Sequence, residues 1–243
     1  MTTETATDRT AELSARLDGL LARVDAAVDA ARRPAGSVRL LPVTKFFPAT
    51  DVAILYALGR REFGESREQE ASAKVDQLAY DDVEWHMIGR LQRNKARSVA
   101  RWAHTVASVD SERLANALGR AAQDALAAGE RIAPLRVLLQ VSLDADPGRG
   151  GVAPADLLAL ADLVAKAPGL HLAGLMAIPP LDAPSDVSFA NLATLHTSLL
   201  AQHAEATELS AGMSGDLEIA VEHGSTCVRV GTALMGARPI TSA

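Results

Sequence analysis

Short apolar runs and segments of helical period take turns along most of this chain. The runs occupy residues 38–44, 62–64, 83–88, 105–109, 135–141, 170–178, 209–213 and 226–230. Between them apolar positions recur every three or four residues, as at Leu114, Leu118, Ala122 and Leu126, or at Leu157, Leu160, Ala161 and Val164. That spacing predicts helices with one buried face. Residues 8–33 carry the same stripe at Leu13, Leu17, Leu20, Leu21, Val24 and Val28, and Pro34-Ala35-Gly36 ends it. Asp110-Ser111 and Pro154 suit helix beginnings, while Gly129 and Gly169 suit helix ends.

Eight short strands separated by helices predict a parallel sheet, because parallel neighbours need crossover connections. Eight such units in about 200 residues are most economically closed into a TIM-like (β/α)8 barrel of the α/β class, preceded by an extra N-terminal helix. An open, doubly wound sheet is the alternative. Residues 1–243 read as one domain, with the helix in 1–35 and the barrel in 36–243. No stretch has the composition of a linker, and the Pro- and Asp-containing segment 181–188 reads as an ordinary loop.

Composition narrows the class. Hydrophobic residues make up 48% of the 243 positions, which is too many for a disordered or fibrous chain. Aromatics are only 3%, so the core must be built from Ala, Leu and Val. The net charge of -6 and the lack of like-charge blocks argue against a nucleic-acid surface. An acidic N-terminus, no run near the roughly 18 apolar residues of a membrane span, and a single cysteine predict a soluble, cytoplasmic protein without internal disulfides. The cations are uneven: 20 arginines stand against four lysines, Lys45, Lys74, Lys95 and Lys166. Where Arg serves for plain charge, each Lys raises the question of whether an amine is needed.

In a parallel barrel the functional groups gather at the C-terminal ends of the strands. The first strand ends at Lys45. Such a lysine either points into the barrel mouth, where desolvation favours the neutral amine that condenses with an aldehyde, or snorkels to solvent. After the seventh strand, Ser214 stands at a helix N-cap position with Asp216 and Glu218 in the first turn, a place that offers backbone N–H groups to a phosphate or is simply capped. In the eighth strand Arg229 lies between apolar neighbours, so alternation turns it inward, and a buried guanidinium needs a partner. Gly231-Thr232 then lets the backbone approach an anion. An amine, a phosphate cradle and a buried cation meet at one face.

At these residues the sequence resembles the pyridoxal phosphate homeostasis proteins, short barrels that bind pyridoxal 5'-phosphate (PLP) and are related to the first domain of alanine racemase. The matching segments are Val43-Thr44-Lys45, Phe63-Gly64-Glu65, Trp85-His86-Met87-Ile88-Gly89, Leu91-Gln92-Arg93-Asn94-Lys95, Gly174-Leu175-Met176-Ala177-Ile178-Pro179, Gly212-Met213-Ser214, and Val228-Arg229-Val230-Gly231-Thr232-Ala233 followed by Gly236-Ala237-Arg238. They keep the family's order over nearly the whole chain. The resemblance implies that Lys45 holds PLP as a Schiff base. It also implies that Ser214, Gly231 and Thr232 seat the phosphate beside Met213, that Arg229 faces the pyridine nitrogen, and that His86 lies near the cofactor or, alternatively, in the core. Ser66 stands where the family commonly has Asn, which puts its cofactor contact in question. Phe46-Phe47-Pro48 replaces a segment in which many relatives carry a second lysine.

The competing reading is a PLP-dependent amino-acid racemase. Racemases of this type pair the lysine with a tyrosine from a second domain, whereas Tyr56 and Tyr80 fall in a helix and a loop here. That favours a cofactor carrier without efficient chemistry, acting in PLP and vitamin B6 homeostasis. A zinc site is not expected, since Cys227 has only His223 nearby and the two straddle a helix–strand boundary. Residues 144–151 resemble a calcium loop only at their start and read as a turn. The basic segment Gln92-Arg93-Asn94-Lys95, with Arg90 and Arg97, is either a docking surface for phosphorylated B6 vitamers or PLP-acceptor apoenzymes, or a solvated helix start. A monomer or weak homodimer is expected, and the N-terminal helix either covers the closed end of the barrel or mediates dimerisation.

Overall fold

Eight short strands pair edge to edge, all parallel: β1 (Arg39–Pro42), β2 (Glu62–Glu65), β3 (Glu84–Met87), β4 (Thr105–Val109), β5 (Leu135–Gln140), β6 (Leu170–Met176), β7 (Glu208–Ser210) and β8 (Cys227–Val230). The computed structural model describes residues 3–144, 150–180 and 183–237. Each strand adjoins the next in sequence, and β8 returns to β1. The remaining seam, between β1 and β2, is closed by a parallel bridge at Val43 and Gly64 and by the Thr44 N–H donating to the Gly64 carbonyl at 3.0 Å. The sheet is a closed barrel, and the open alternative is excluded.

The helices alternate with the strands: α2 (Ala49–Ala57), α3 (Glu68–Leu78), α4 (Ala96–Trp102), α5 (Glu112–Ala127), α6 (Leu157–Lys166), α7 (Ser185–Leu200), α8 (Leu217–Glu222) and the short α9 (Thr232–Met235). Alternation along each strand sorts its side chains. Phe63, Trp85, Val228 and Val230 pack outward among one set of apolar residues, and Val106, Val137, Leu139 and Leu209 among another. The opposite parity supplies a small separate cluster, Ala107, Leu138, Ala173 and Met176, with Ile88 against it. This cluster fills the lumen, as expected of a barrel whose interior is packed. It leaves polar groups at either end.

The first helix, α1 (Thr3–Ala30), packs on the flank of the barrel and does not cover its closed end. Its stripe, Leu13, Leu17, Leu20, Val24 and Val28, is buried against Leu217, Val221, Val228, Leu234 and Met235. Each such side chain contributes about 1.5–3 kcal/mol. Arginines fasten the contact by donating to backbone carbonyls: Arg9 to Met235 at 3.0 Å, Arg23 to Ser214 at 2.8 Å, and Arg33 to Val221 and Ser225 at 2.8 and 2.7 Å. Among the described residues no helix is long and apolar enough to cross a membrane. Most of the loop at 144–151, read as a turn, lies outside the described residues.

Candidate functional site

At the N-terminal end of the lumen the charges answer one another. Arg39, the first residue of β1, bridges Glu62 on β2 and Glu208 on β7. Arg136 on β5 reaches the other Glu208 oxygen at 3.0 Å. His86 Nε2 lies 3.3 Å from Glu62, and His104 Nε2 lies 3.3 Å from Glu84. Strands that are not neighbours are thereby tied together, which requires the pairs to cross the lumen. Burial pushes the Glu62 carboxyl up, but the neighbouring His86 ring and Arg39 guanidinium outweigh it and hold it down to about 2. Burial also pushes the Cys227 thiol, at the foot of β8, up to about 11, so it stays protonated and inert.

The C-terminal end is built differently. Lys45 follows β1 and is half-buried, with Nζ 5.8 Å from the centre of the Phe46 ring. Phe46 has φ +70, a left-handed conformation that an aromatic residue adopts only under constraint. Its N–H donates to Glu70 Oε1 at 2.6 Å, which fixes the turn. Glu70 in turn accepts from Lys74 at 3.0 Å. Lys74 Nζ, buried between α3 and the barrel, also donates to Glu65 Oε1 at 2.7 Å and to the Thr44 carbonyl at 2.9 Å. The Glu65 carboxyl is pushed up by burial, a shift that Lys74 and Thr44 oppose. Lys74 therefore braces both residues that flank Lys45. Sequence reading gave it no role. Its one signal was the scarcity of lysine.

Across the mouth, Arg229 is buried and donates to the Ser210 carbonyl at 2.7 Å, Ser210 Oγ at 2.8 Å and the Ala177 carbonyl at 2.9 Å. Among the described residues it has no carboxylate within ion-pair distance, and burial lowers its pKa. None of these bonds uses Nε. A buried cation whose hydrogen bonds go only to neutral oxygens is oriented without a contacting carboxylate, Asp216 and Glu208 acting on it only from a distance. The loop after β8 runs beside β1: a Cβ at Gly231 would lie 3.6 Å from Val43 Cβ, and the Val43 N–H donates to the Val230 carbonyl at 2.9 Å. The loop after β7 adjoins β8, where the Arg229 N–H donates to the Gly212 carbonyl at 3.0 Å. Gly212 must be glycine, since it has φ +92 and its Cβ would meet Ala220 at 2.6 Å.

The strand ends thus bring together Lys45 after β1, Met213 and Ser214 after β7, Arg229 on β8 and Gly231-Thr232 after it. Ser66 closes the same rim at the end of β2. One expectation changes and one alternative is settled. Ser214 does not cap α8: that helix begins at Leu217, with Asp216 as its N-cap residue, and Asp216 Oδ1 accepts the Met213 N–H at 2.6 Å. The loop holding Ser214 is pinned instead by Arg23 of α1. Of the two places expected for His86, the core is the one observed: its buried ring turns toward Glu62 and His104, at the N-terminal end of the lumen. Alternation along β3 sets it inward but does not say toward which end. An amine and a fixed guanidinium at one end of the barrel, with the loops after β7 and β8 at the same end, suit a ligand that combines a carbonyl group with an anion.

The profile of the alanine racemase N-terminal domain family matches residues 17–239. The pyridoxal phosphate homeostasis protein of Mycobacterium tuberculosis is 53% identical over 248 residues, covering 97% of this chain and 96% of that one. Its counterpart in Corynebacterium glutamicum is 47% identical over 220 residues, covering 90% of this chain and 99% of that one. The structure of PipY from Synechococcus elongatus with PLP bound superposes with a TM-score of 0.79 at 37% identity, covering 92% of this chain and 100% of that one.

Proposed function

The chain belongs to the alanine racemase N-terminal domain family, and from that premise we propose that it is a PLP-binding protein of B6 homeostasis that holds PLP on Lys45. The observation that carries this reading is the pairing, at one barrel end, of a half-buried amine with a buried guanidinium that has no carboxylate. Lys45 supplies the amine for a Schiff base with the aldehyde, and Ser214, Gly231 and Thr232 receive the phosphate, with Met213 beside them. Arg229 faces the ring nitrogen and, as a cation, disfavours its protonation. PLP when bound supplies an electrophilic carbonyl and an electron sink. A guanidinium at that nitrogen weakens the sink.

The protein's own groups favour carriage over catalysis. Tyr56 and Tyr80 stack on each other at 4.0 Å, beside Arg61 and Asp82, which flank the N-terminal ends of β2 and β3. Neither offers a second acid–base group at the mouth, which racemisation needs. In this reading the protein works in the cytoplasm as a monomer or weak homodimer, and holds PLP and other B6 vitamers for apoenzymes that accept PLP.

The decisive experiment is the visible spectrum of the protein with PLP, followed by borohydride reduction and peptide mapping. A band trapped on the Lys45 peptide supports the proposal. A label scattered over Lys74, Lys95 and Lys166, or no band, refutes it.

A further inference from the structure

We propose that the cavity between the loops after β2 and β3 is a second anion site, which takes a small phosphorylated molecule beside the ligand at Lys45. The proposal rests on the functional reading above for that neighbour, but its charge argument stands alone. The cavity has a volume of about 980 Å³, large enough for a ring with a phosphate. Four cations line it, Arg67, Arg90, Arg93 and Lys95, against the single carboxylate of Glu68. Lys95 and Glu68 pair at 3.1 Å. Among the described residues, Arg67, Arg90 and Arg93 make no ion pair.

Elsewhere some arginines are paired, and others, such as Arg60 and Arg131, hold only backbone carbonyls. Arg9, Arg23, Arg39, Arg61, Arg101 and Arg136 each reach a carboxylate. Three exposed guanidiniums line one cavity without such a partner, in a chain of net charge -6, and together raise the positive potential there. Their planar forks match phosphate oxygens. The gathering is built into the backbone: a Cβ at Gly89 would sit 2.2 Å from the Ser66 carbonyl oxygen, so only glycine lets the two loops touch. Buried Met87 and Leu91 give the cavity an apolar side for a flat ring, and the Gln92 and Asn94 amides extend the polar one. Phe46 links it to Lys45, since the Arg67 guanidinium lies 4.9 Å from the ring whose other neighbour is Lys45 Nζ. A concavity of this size between two loops suits a small ligand, and the acidic balance of the chain disfavours nucleic acid.

The test uses protein loaded with PLP and reduced with borohydride, so that Lys45 stays filled, titrated with phenyl phosphate by calorimetry at low salt. One saturable site per chain is expected, with a Kd of about 1 mM or tighter. Arg90→Gln with Arg93→Gln should weaken it at least about 10-fold, because two of the four cations that line the cavity are lost. Circular dichroism and the Lys45 absorbance should not change. Arg97→Gln, outside the cavity, should bind like the parent. The proposal is overturned by an absence of saturation, by equal binding in the double variant, or by an equal loss in Arg97→Gln. If no label is trapped on Lys45, the functional reading has failed, and the same titration on untreated protein still decides the cavity.

Discussion

The two ends of the lumen use the same kinds of residue to opposite purpose. At the N-terminal end Arg39, Arg136, His86 and His104 each lie against a carboxylate, from Glu62, Glu84 or Glu208. At the C-terminal end Arg229 is more deeply buried, yet it meets only carbonyls and a hydroxyl. A charge answered within the chain spends its interaction on the fold. A charge left with neutral partners is oriented by the chain but keeps its Coulomb attraction for something else. Within the lumen, then, the pairing of a cation, more than its exposure, distinguishes the two ends; on the flank, Arg33, bonded only to carbonyls, serves the fold.

The largest test of that division is Lys45→Ala, which should abolish the PLP absorbance band and the borohydride label while leaving thermal stability nearly unchanged. A substantial fall in melting temperature would instead make Lys45 part of the structural set. Next comes Glu208→Ala at the other end. It strands Arg136 and halves the anchorage of Arg39. Breaking a buried pair typically costs 3–5 kcal/mol, and the partly exposed arginines reduce this to about 3 kcal/mol. Urea unfolding reads the loss directly, and the protein that remains folded should take up PLP as before. A variant as stable as the parent would show that the network does not hold the barrel.

Much of this was legible in the sequence. The runs read as strands fall on the observed strands to within a few residues, because apolar continuity in a parallel barrel is dictated by burial on both faces. The stripe of α1 was equally plain, but its berth was not. The contacts that fix it join residues about 190 positions apart, such as Arg33 with Ser225, and no local pattern encodes them. The site was legible in part. Lys45 and Arg229 could be placed from strand ends and alternation. His86 could not, since the end of the lumen it turns to is settled by where Glu62 stands on the neighbouring strand. Ser214 misled for a local reason: Asp216, two residues on, is the residue that takes the N-cap position. The brace at Lys74 was hidden because Glu65, at the end of β2, and the Thr44 carbonyl, after β1, lie on other elements that no local pattern joins to it.

Arg229→Met sharpens the comparison with Glu208→Ala. Removing the guanidinium frees the chain of an unpaired buried charge but leaves the Ala177 and Ser210 carbonyls without that donor. The two changes partly cancel, so stability should fall by only about 1–2 kcal/mol. PLP binding should weaken about 10-fold or more, as one charged hydrogen bond is lost, and the absorbance maximum should move as the ring nitrogen loses its cationic neighbour. The two variants then dissociate the ends: Glu208→Ala loses stability and keeps PLP, whereas Arg229→Met does the reverse. Unaltered PLP binding in Arg229→Met would place Arg229 with the structural charges.

The smallest effect lies in pH. With its carboxyl held down to about 2 in the fold against an ordinary value of 4.5, Glu62 stays ionised where the unfolded chain has begun to take up its proton. Its contribution is therefore complete above about pH 4.5 and fades as pH falls toward 2, with a slope of at most about 1.4 kcal/mol per pH unit. Glu62→Gln should cost about 1–3 kcal/mol at neutral pH, the linked value for the shift being reduced by the partial exposure of Glu62 and by the pairing that Arg39 keeps with Glu208. Between pH 4.5 and 2 the variant should lose stability less steeply than the parent, so that the two curves converge in acid. The mouth has no such carboxylate on Arg229, and Arg229→Met should leave the acid slope as it was. If Glu62→Gln and the parent lose stability in parallel through that window, the N-terminal pairs do not carry the charge dependence of the fold, and the contrast between the two ends rests on the ligand alone.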